Sequence, residues 1–176
     1  FWLRLILRFA PRVSNTSLVT EGGHVRIGSM TDSFVPALVA FDLDDTLAPS
    51  KSPMPAPMAQ ALRQLLDVVP VCIISGGQMG QFRSQVLGNL HANDAELAAL
   101  HLMPTCGTRY YTWDGSDWGL VYAHDLSDAQ RDAALEAVER EAKRLGLWES
   151  QTWGDILEDR GSQITFSALG QEAPLE

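Results

Sequence analysis

The sequence is short of cysteine, of basic residues and of long apolar runs. Its two cysteines, Cys72 and Cys106, fit neither a metal-binding spacing nor a disulfide framework, so we expect a reducing, cytoplasmic location. The 13 basic residues are outnumbered by 22 acidic ones, and phosphate backbones are bound by basic surfaces, so we expect no nucleic-acid partner. No apolar run approaches the roughly 20 residues of a membrane-spanning helix, so we expect no membrane partner.

Residues 1–29 differ in composition from the rest of the chain. They include Arg4, Arg8 and Arg12, spaced four residues apart, and the first 20 residues contain no acid. This pattern is typical of a basic amphipathic or transit-like leader. The chain does not begin with methionine, however, and Met30 lies shortly before the first predicted strand. Residues 1–29 are therefore either a leader or a non-native extension, and both interpretations are open.

The most informative stretch is residues 38–47, where a short apolar run is followed by three acids. The apolar residues predict a buried strand of a parallel sheet that is covered on both faces. Asp42, Asp44 and Asp45 would lie just beyond the carboxyl end of this strand, where open α/β sheets bind ligands. Crowded carboxylates are unfavourable without a cation, and their hard oxygens suit Mg²⁺. The stretch therefore predicts a magnesium site.

Residues 38–74 predict a βαβ unit. Prolines predict a loop over residues 48–57, helical periodicity then runs from residue 58 to 69, and residues 71–74 form a second short apolar run. A strand, a helix and a strand in this succession predict two parallel strands with a right-handed crossover.

The second strand ends in Ser75, Gly76 and Gly77, which we call the 75–77 loop. It opens a predicted helix, and a hydroxyl with two glycines at a helix start can offer backbone amides to an anion. Taken alone the signal is weak, because strand-to-helix turns often use glycine for steric reasons.

The two strand ends together resemble the haloacid dehalogenase-like (HAD) hydrolases. Residues 41–47 resemble the first signature of that family, DxDxT after an apolar strand, and the strand ending at Ser75 resembles the second. The resemblance implies that Asp42 is a nucleophile that becomes an aspartyl phosphate, that Asp44 is the general acid/base, and that both bind Mg²⁺. It implies that the 75–77 loop holds the transferring phosphoryl group. The chemistry is consistent, because a carboxylate nucleophile divides one difficult displacement into two easier ones.

The pattern changes to α+β from residue 109. A hairpin is predicted over residues 110–124, a helix begins at Ser127 with Gln130 in a capping box, and residues 163–169 alternate as a strand. We expect an α/β fold: a HAD-like, Rossmann-like parallel sheet core over residues 30–107, and an inserted α+β cap over residues 108–176 that is incomplete at the C-terminus.

The inserted cap resembles the type IIB branch of the family, which includes phosphomannomutases and sugar-phosphate phosphatases. Residues 160–170 resemble a mutase segment in which Arg160 and Ser167 would contact the substrate. Gln171 and Lys51 stand where those mutases usually have arginines, which favours a phosphatase. The resemblance implies a Mg²⁺-dependent phosphohydrolase whose partner is a small phosphorylated substrate, and we expect a sugar phosphate. The alternatives are a phosphomannomutase-like phosphotransferase, a non-catalytic fragment and a receiver-like phospho-acceptor domain.

Two further elements of the HAD pattern do not occur in the sequence. No lysine follows Lys143, and no later acidic segment supplies the remaining metal ligands. We therefore expect a truncated chain that is inactive as it stands. We also expect possible self-association, because an unfinished sheet and cap would expose an edge strand and apolar surface.

Overall fold

The computed structural model describes residues 36–174, so the segment 1–29 and its two interpretations lie outside the described residues. The described strands are β1 (Val39–Phe41), β2 (Val71–Ile74), β3 (Leu100–Met103), β4 (Arg109–Trp113), β5 (Trp118–Ala123), β6 (Leu157–Asp159) and β7 (Ile164–Phe166). The described α-helices are α1 (Ala56–Leu66), α2 (Met79–Phe82), α3 (Gly88–Leu90), α4 (Asp94–Ala98) and α5 (Asp128–Arg144). A π-helical turn, Arg83–Leu87, joins α2 to α3, and a 3₁₀ turn, Thr105–Gly107, follows β3.

The first three strands form the parallel part of a five-stranded sheet. They are hydrogen-bonded in the order β1–β2–β3 and both pairs are parallel. The β1–β2 pair confirms the parallel strands predicted from the βαβ pattern. β2 lies between its neighbours, and Val71, Cys72 and Ile73 are buried, as its continuous apolar sequence requires. β1 differs from the expectation, because it is an edge strand of the described sheet and its residues are only half-buried.

The helices that follow β1 and β2 bury apolar side chains in the core. α1 carries Pro57 in its first turn, where the missing N–H leaves no helical hydrogen bond unmade, and it buries Leu62. Phe82 and Val86 are fully buried in the helical segment after β2, as the periodicity predicts. The π-helical turn also buries Gln85, a polar residue that the apolar pattern does not predict.

The hairpin of β4 and β5 continues the core sheet. We expected it in the cap, but β4 pairs antiparallel with β3, with His101 opposite Thr112 and Leu102 opposite Tyr111. Trp118 of β5 is buried in the same hydrophobic core as the parallel strands, so burial of apolar surface accounts for this pairing. The division of the chain into core and cap stays a prediction, and the described hairpin belongs to the same sheet as β1, β2 and β3.

The last part of the described chain combines one long helix with a small sheet. The helix α5 begins after Ser127, whose hydroxyl accepts from the backbone N–H of Gln130 in the predicted capping box. β6 and β7 form a separate antiparallel pair, and α5 contacts both of them. The predicted strand over residues 163–169 is shorter than expected, because the chain turns after β7 and Gly170 adopts a φ of +91°. Within residues 36–174, no helix is both long and apolar enough to cross a membrane.

Candidate active site

Asp42, the predicted nucleophile, and the 75–77 loop both lie at the carboxyl ends of the parallel strands. Asp42 directly follows β1, and Ser75 directly follows β2. β1 and β2 are parallel, with Phe41 opposite Ile73, so both strands end at this edge. Asp42 is exposed and has no hydrogen-bond partner among the described residues, whereas Ser75 is buried at 5% exposure. The arrangement brings an exposed aspartate and a buried serine to the same ends of two neighbouring strands.

The acidic loop is held by Leu43, the residue between Asp42 and Asp44. Leu43 is completely buried, and its carbonyl accepts hydrogen bonds from the backbone N–H groups of Leu47 (2.9 Å) and Ala48 (3.2 Å). Asp45 adopts a left-handed φ of +56°, and its carboxylate accepts from the Ser50 N–H at 3.1 Å. Asp45 therefore stabilises the turn, while Leu43 anchors the positions of Asp42 and Asp44 to the core.

The carboxylate of Asp44 is held from two sides. Gln81 Nε2 donates to Oδ1 at 3.2 Å and to Oδ2 at 3.1 Å, and the Lys51 backbone N–H donates to Oδ1 at 3.2 Å. The Gln81 amide also donates to Oε1 of Gln85 at 2.9 Å. Sequence reasoning missed both glutamines. Two amides four residues apart beside an apolar helix face are the only signal that could have indicated them.

The 3₁₀ turn Thr105–Gly107 supports the 75–77 loop. The backbone N–H of Cys106 donates to the Ser75 carbonyl, and that of Thr105 donates to the Gly77 carbonyl, both at 2.9 Å. Thr105 and Cys106 have φ values of +51° and +57°, which β-branched residues such as threonine rarely adopt. Such strained backbone persists only where the surrounding structure enforces it, and it concentrates at functional sites. The Ser75 hydroxyl accepts only a long hydrogen bond, 3.4 Å from the Gly77 N–H.

The segment that we expected to contact substrate reaches the 75–77 loop. Arg160 Nη1 donates to the Gly76 carbonyl at 2.6 Å, and the Arg160 side chain is only 15% exposed. Its Nε and Nη2 donate to Oε2 of Glu158 at 2.9 and 2.6 Å. Gln78 Nε2 donates to the other Glu158 oxygen at 2.6 Å. Glu158, which sequence reasoning missed, thus occupies the donors that an anionic ligand would use.

Lys51, Gln171 and Ser167, which the comparison with the mutase segment singled out, take part in hydrogen bonds to backbone carbonyls. Lys51 Nζ donates to the backbone carbonyl of Gln171 at 2.6 Å, so the two positions that depart from the mutase pattern lie together. The hydroxyl of Ser167 donates to the Gly170 carbonyl at 2.8 Å and closes the turn after β7.

The donor set at the strand end suits a hard cation in part. Mg²⁺ usually binds one or two carboxylates and completes its octahedron with water and substrate phosphate, which Asp42 and Asp44 can satisfy. Residues 36–174 contain no group of three or more His, Cys, Asp or Glu side chains placed to hold a metal. The chemistry of the two acids therefore fits Mg²⁺, with the remaining ligands coming from outside this pair.

Structural neighbours share this architecture, although no family model and no curated protein sequence matches the chain. An ATP-bound IMP-nucleotidase from Plasmodium falciparum is 13% identical, with a TM-score of 0.54 over 72% of this chain and 34% of that chain. Another structure of that enzyme is 14% identical, with a TM-score of 0.53 over 72% of this chain and 38% of that chain. A haloacid dehalogenase-like hydrolase from B. subtilis is 22% identical over 60% of this chain and 34% of that chain, with a TM-score of 0.48.

The chain spans less than two fifths of the length of these neighbours. Identities this low show the fold alone. The described residues share the fold of the IMP-nucleotidase structures, an α/β arrangement in which helices flank a five-stranded mixed sheet with a parallel part.

Proposed function

We propose that the chain carries the phosphoryl-transfer residues of a Mg²⁺-dependent phosphohydrolase that acts on a small phosphorylated metabolite through an aspartyl phosphate. One observation supports this most strongly: Asp42 and Ser75 follow neighbouring parallel strands at one edge of the sheet. Ligands of open α/β sheets bind at such edges. The fold of the neighbours is compatible with this proposal and does not select a substrate.

Asp42 is the nucleophile of the proposed reaction. Its carboxylate is exposed and has no partner within residues 36–174, so no hydrogen bond has to break before it attacks. One carboxylate oxygen forms a bond to phosphorus while the bond from phosphorus to the leaving oxygen breaks. Asp42 and Asp44 would hold Mg²⁺, which would offset the charge of the two anions.

Asp44 is the general acid/base. It gives a proton to the leaving oxygen in the first step. In the second step it takes a proton from the water that attacks phosphorus, while the bond from phosphorus to Asp42 breaks and inorganic phosphate leaves. These roles need a carboxylate held in place, and the hydrogen bonds from Gln81 and from the Lys51 N–H hold it. The Ser75 hydroxyl and the amides of the 75–77 loop hold the phosphoryl oxygens, a task that suits backbone N–H groups at a helix start.

Arg160 binds a second anionic or polyhydroxyl part of the substrate in this proposal, which favours a sugar phosphate. Its guanidinium already lies against Gly76, so a ligand in the 75–77 loop is within its reach once Glu158 gives way. Ser167 contributes only if the turn after β7 opens, because its hydroxyl donates to Gly170. Lysine and glutamine at positions 51 and 171 favour hydrolysis over the mutase reaction.

Release of inorganic phosphate tests the proposal. The full-length protein that contains this chain is assayed with sugar phosphates, a nucleoside 5′-monophosphate and p-nitrophenyl phosphate, with Mg²⁺ and with a chelator. We expect Mg²⁺-dependent release, fastest with a sugar phosphate, and none from Asp42→Asn. Isomerisation without release would indicate the mutase alternative, and no turnover of any phosphomonoester would contradict the proposal. For residues 1–176 alone we expect no activity above background, because they hold too few groups to offset the phosphoryl charge.

A further inference from the structure

We infer that Gln81 is a positioning residue that orients the carboxylate of Asp44 for proton transfer, and that the buried Gln85 orients Gln81 in turn. The inference rests on the proposed function, since it concerns the acid/base of that reaction. Gln81 is not a member of either signature that the sequence resembles. Its assignment depends on the contacts of three side chains in the described structure.

Both hydrogens of the Gln81 amide are used. Nε2 lies 3.2 and 3.1 Å from the two oxygens of Asp44, so one N–H is shared between them, and it lies 2.9 Å from Oε1 of Gln85. Turning the Gln81 amide over would place its carbonyl oxygen against an anionic carboxylate, which is unfavourable. The charge on Asp44 therefore selects this orientation, and the orientation in turn restricts the rotation of Asp44.

Gln85 gives independent support, because it is 3% exposed and its Nε2 has no hydrogen-bond partner among the described residues. A buried amide without a partner is unfavourable. Reversing the amide would give Nε2 no better partner, since it would then meet the Nε2 of Gln81, another donor. In the observed orientation Oε1 of Gln85 accepts a hydrogen bond from Gln81, and Nε2 of Gln85 stays without a partner among the described residues. Gln85 lies in the π-helical turn Arg83–Leu87, and such turns are frequent at functional sites.

Gly77 shows that the loop is shaped around the Gln81 side chain. A Cβ atom at Gly77 would overlap the amide group of Gln81, so a larger residue there would displace it. The second glycine of the 75–77 loop therefore leaves room for the Gln81 amide in its observed position. One glycine in this way links the proposed phosphate loop to the proposed acid/base.

The role predicts a dependence on the leaving group. An alkyl phosphate needs the proton of Asp44 on its departing oxygen, whereas p-nitrophenolate leaves without protonation. The ratio kcat/KM reports the steps up to departure of the leaving group, so the second, hydrolytic step does not contribute. Loss of orientation at Asp44 should lower kcat/KM for an alkyl phosphate far more than for p-nitrophenyl phosphate. A structural defect would lower both by the same factor.

The test compares Gln81→Leu with Gln64→Leu in the full-length protein. Gln64 is exposed on α1, so its replacement is a matched control for the same change of side chain. For Gln81→Leu we expect kcat/KM to fall about 100-fold with an alkyl phosphate and less than about tenfold with p-nitrophenyl phosphate. Gln64→Leu should leave both values unchanged. Equal losses for the two substrates in Gln81→Leu, or no loss, would overturn the positioning role.

A crystal structure of Gln81→Leu gives a readout that does not depend on turnover. We expect the Asp44 carboxylate to leave its position or to occupy more than one rotamer, while the backbone of residues 41–47 is unchanged. An Asp44 side chain that stays ordered in place would overturn the inference even in an active enzyme. If the wild-type protein hydrolyses no phosphomonoester, the proposed function fails, and the position of Asp44 in the crystal still decides whether Gln81 orients it.

Discussion

Replacing Leu43 with alanine should destabilise the protein strongly, because this side chain joins the acidic loop to the core. Leu43 is fully buried between Asp42 and Asp44. Removing three buried carbon atoms costs about 2.5 kcal/mol of transfer free energy, and the cavity that remains brings the total to about 3–5 kcal/mol. With a urea slope of about 2 kcal/mol per M, the unfolding midpoint should fall by about 1.5–2.5 M.

Urea unfolding of matched variants measures this effect. Leu120 is 53% exposed on β5, so Leu120→Ala should change the free energy of unfolding by less than about 0.5 kcal/mol. Leu43→Met keeps the volume and should lose less than about 1.5 kcal/mol, which allows a measurement if the alanine variant does not fold. A loss below about 1 kcal/mol for Leu43→Ala, or equal losses at both leucines, would refute the reasoning that Leu43 anchors the loop.

Two further predictions concern titration and chemical reactivity. The Asn93 backbone N–H, and then Arg63, lower the pKa of the Glu96 carboxyl, so this carboxylate stabilises the fold above the usual glutamate pKa and loses that effect as pH falls through its folded-state value. Glu96→Gln should therefore lower the urea midpoint at pH 7, and the difference from the wild-type protein should shrink as the pH falls below the usual glutamate pKa; a difference that does not change with pH would contradict this. Burial raises the pKa of Cys72 to about 11, while Cys106 is exposed. Iodoacetamide at pH 8 should thus label Cys106 in the native protein and both cysteines in urea, and mass spectrometry that finds native labelling at Cys72 would contradict this burial.

Local patterns predicted the elements that depend on neighbouring residues. The acids after β1, the short apolar run of β2 and the capping box at Ser127 all follow from residues within a few positions of one another. The parallel pairing of β1 with β2 also followed, because a helix between two short strands permits few other arrangements.

Contacts between distant residues could not be predicted in this way. The hairpin was predicted, but its pairing with β3 was not. That pairing accompanies the burial of Trp118 in the core, and no pattern of neighbouring residues indicates this burial. Gln81 was not predicted, because only the fold brings it to Asp44, 37 positions away. Arg160 was expected at the substrate, whereas Glu158, two residues earlier, holds it in the described structure.

Trapping the phosphoenzyme tests the central claim most directly. The full-length protein is mixed with Mg²⁺ and ³²P-labelled p-nitrophenyl phosphate, whose leaving group needs no proton from Asp44. The reaction is quenched in acid, the protein is digested, and the labelled peptide is identified by mass spectrometry. We predict a hydroxylamine-sensitive acyl phosphate on Asp42, none in Asp42→Asn, and accumulation in Asp44→Asn, because that variant cannot activate water. Phosphate on another residue, or labelling that persists in Asp42→Asn, would contradict the account.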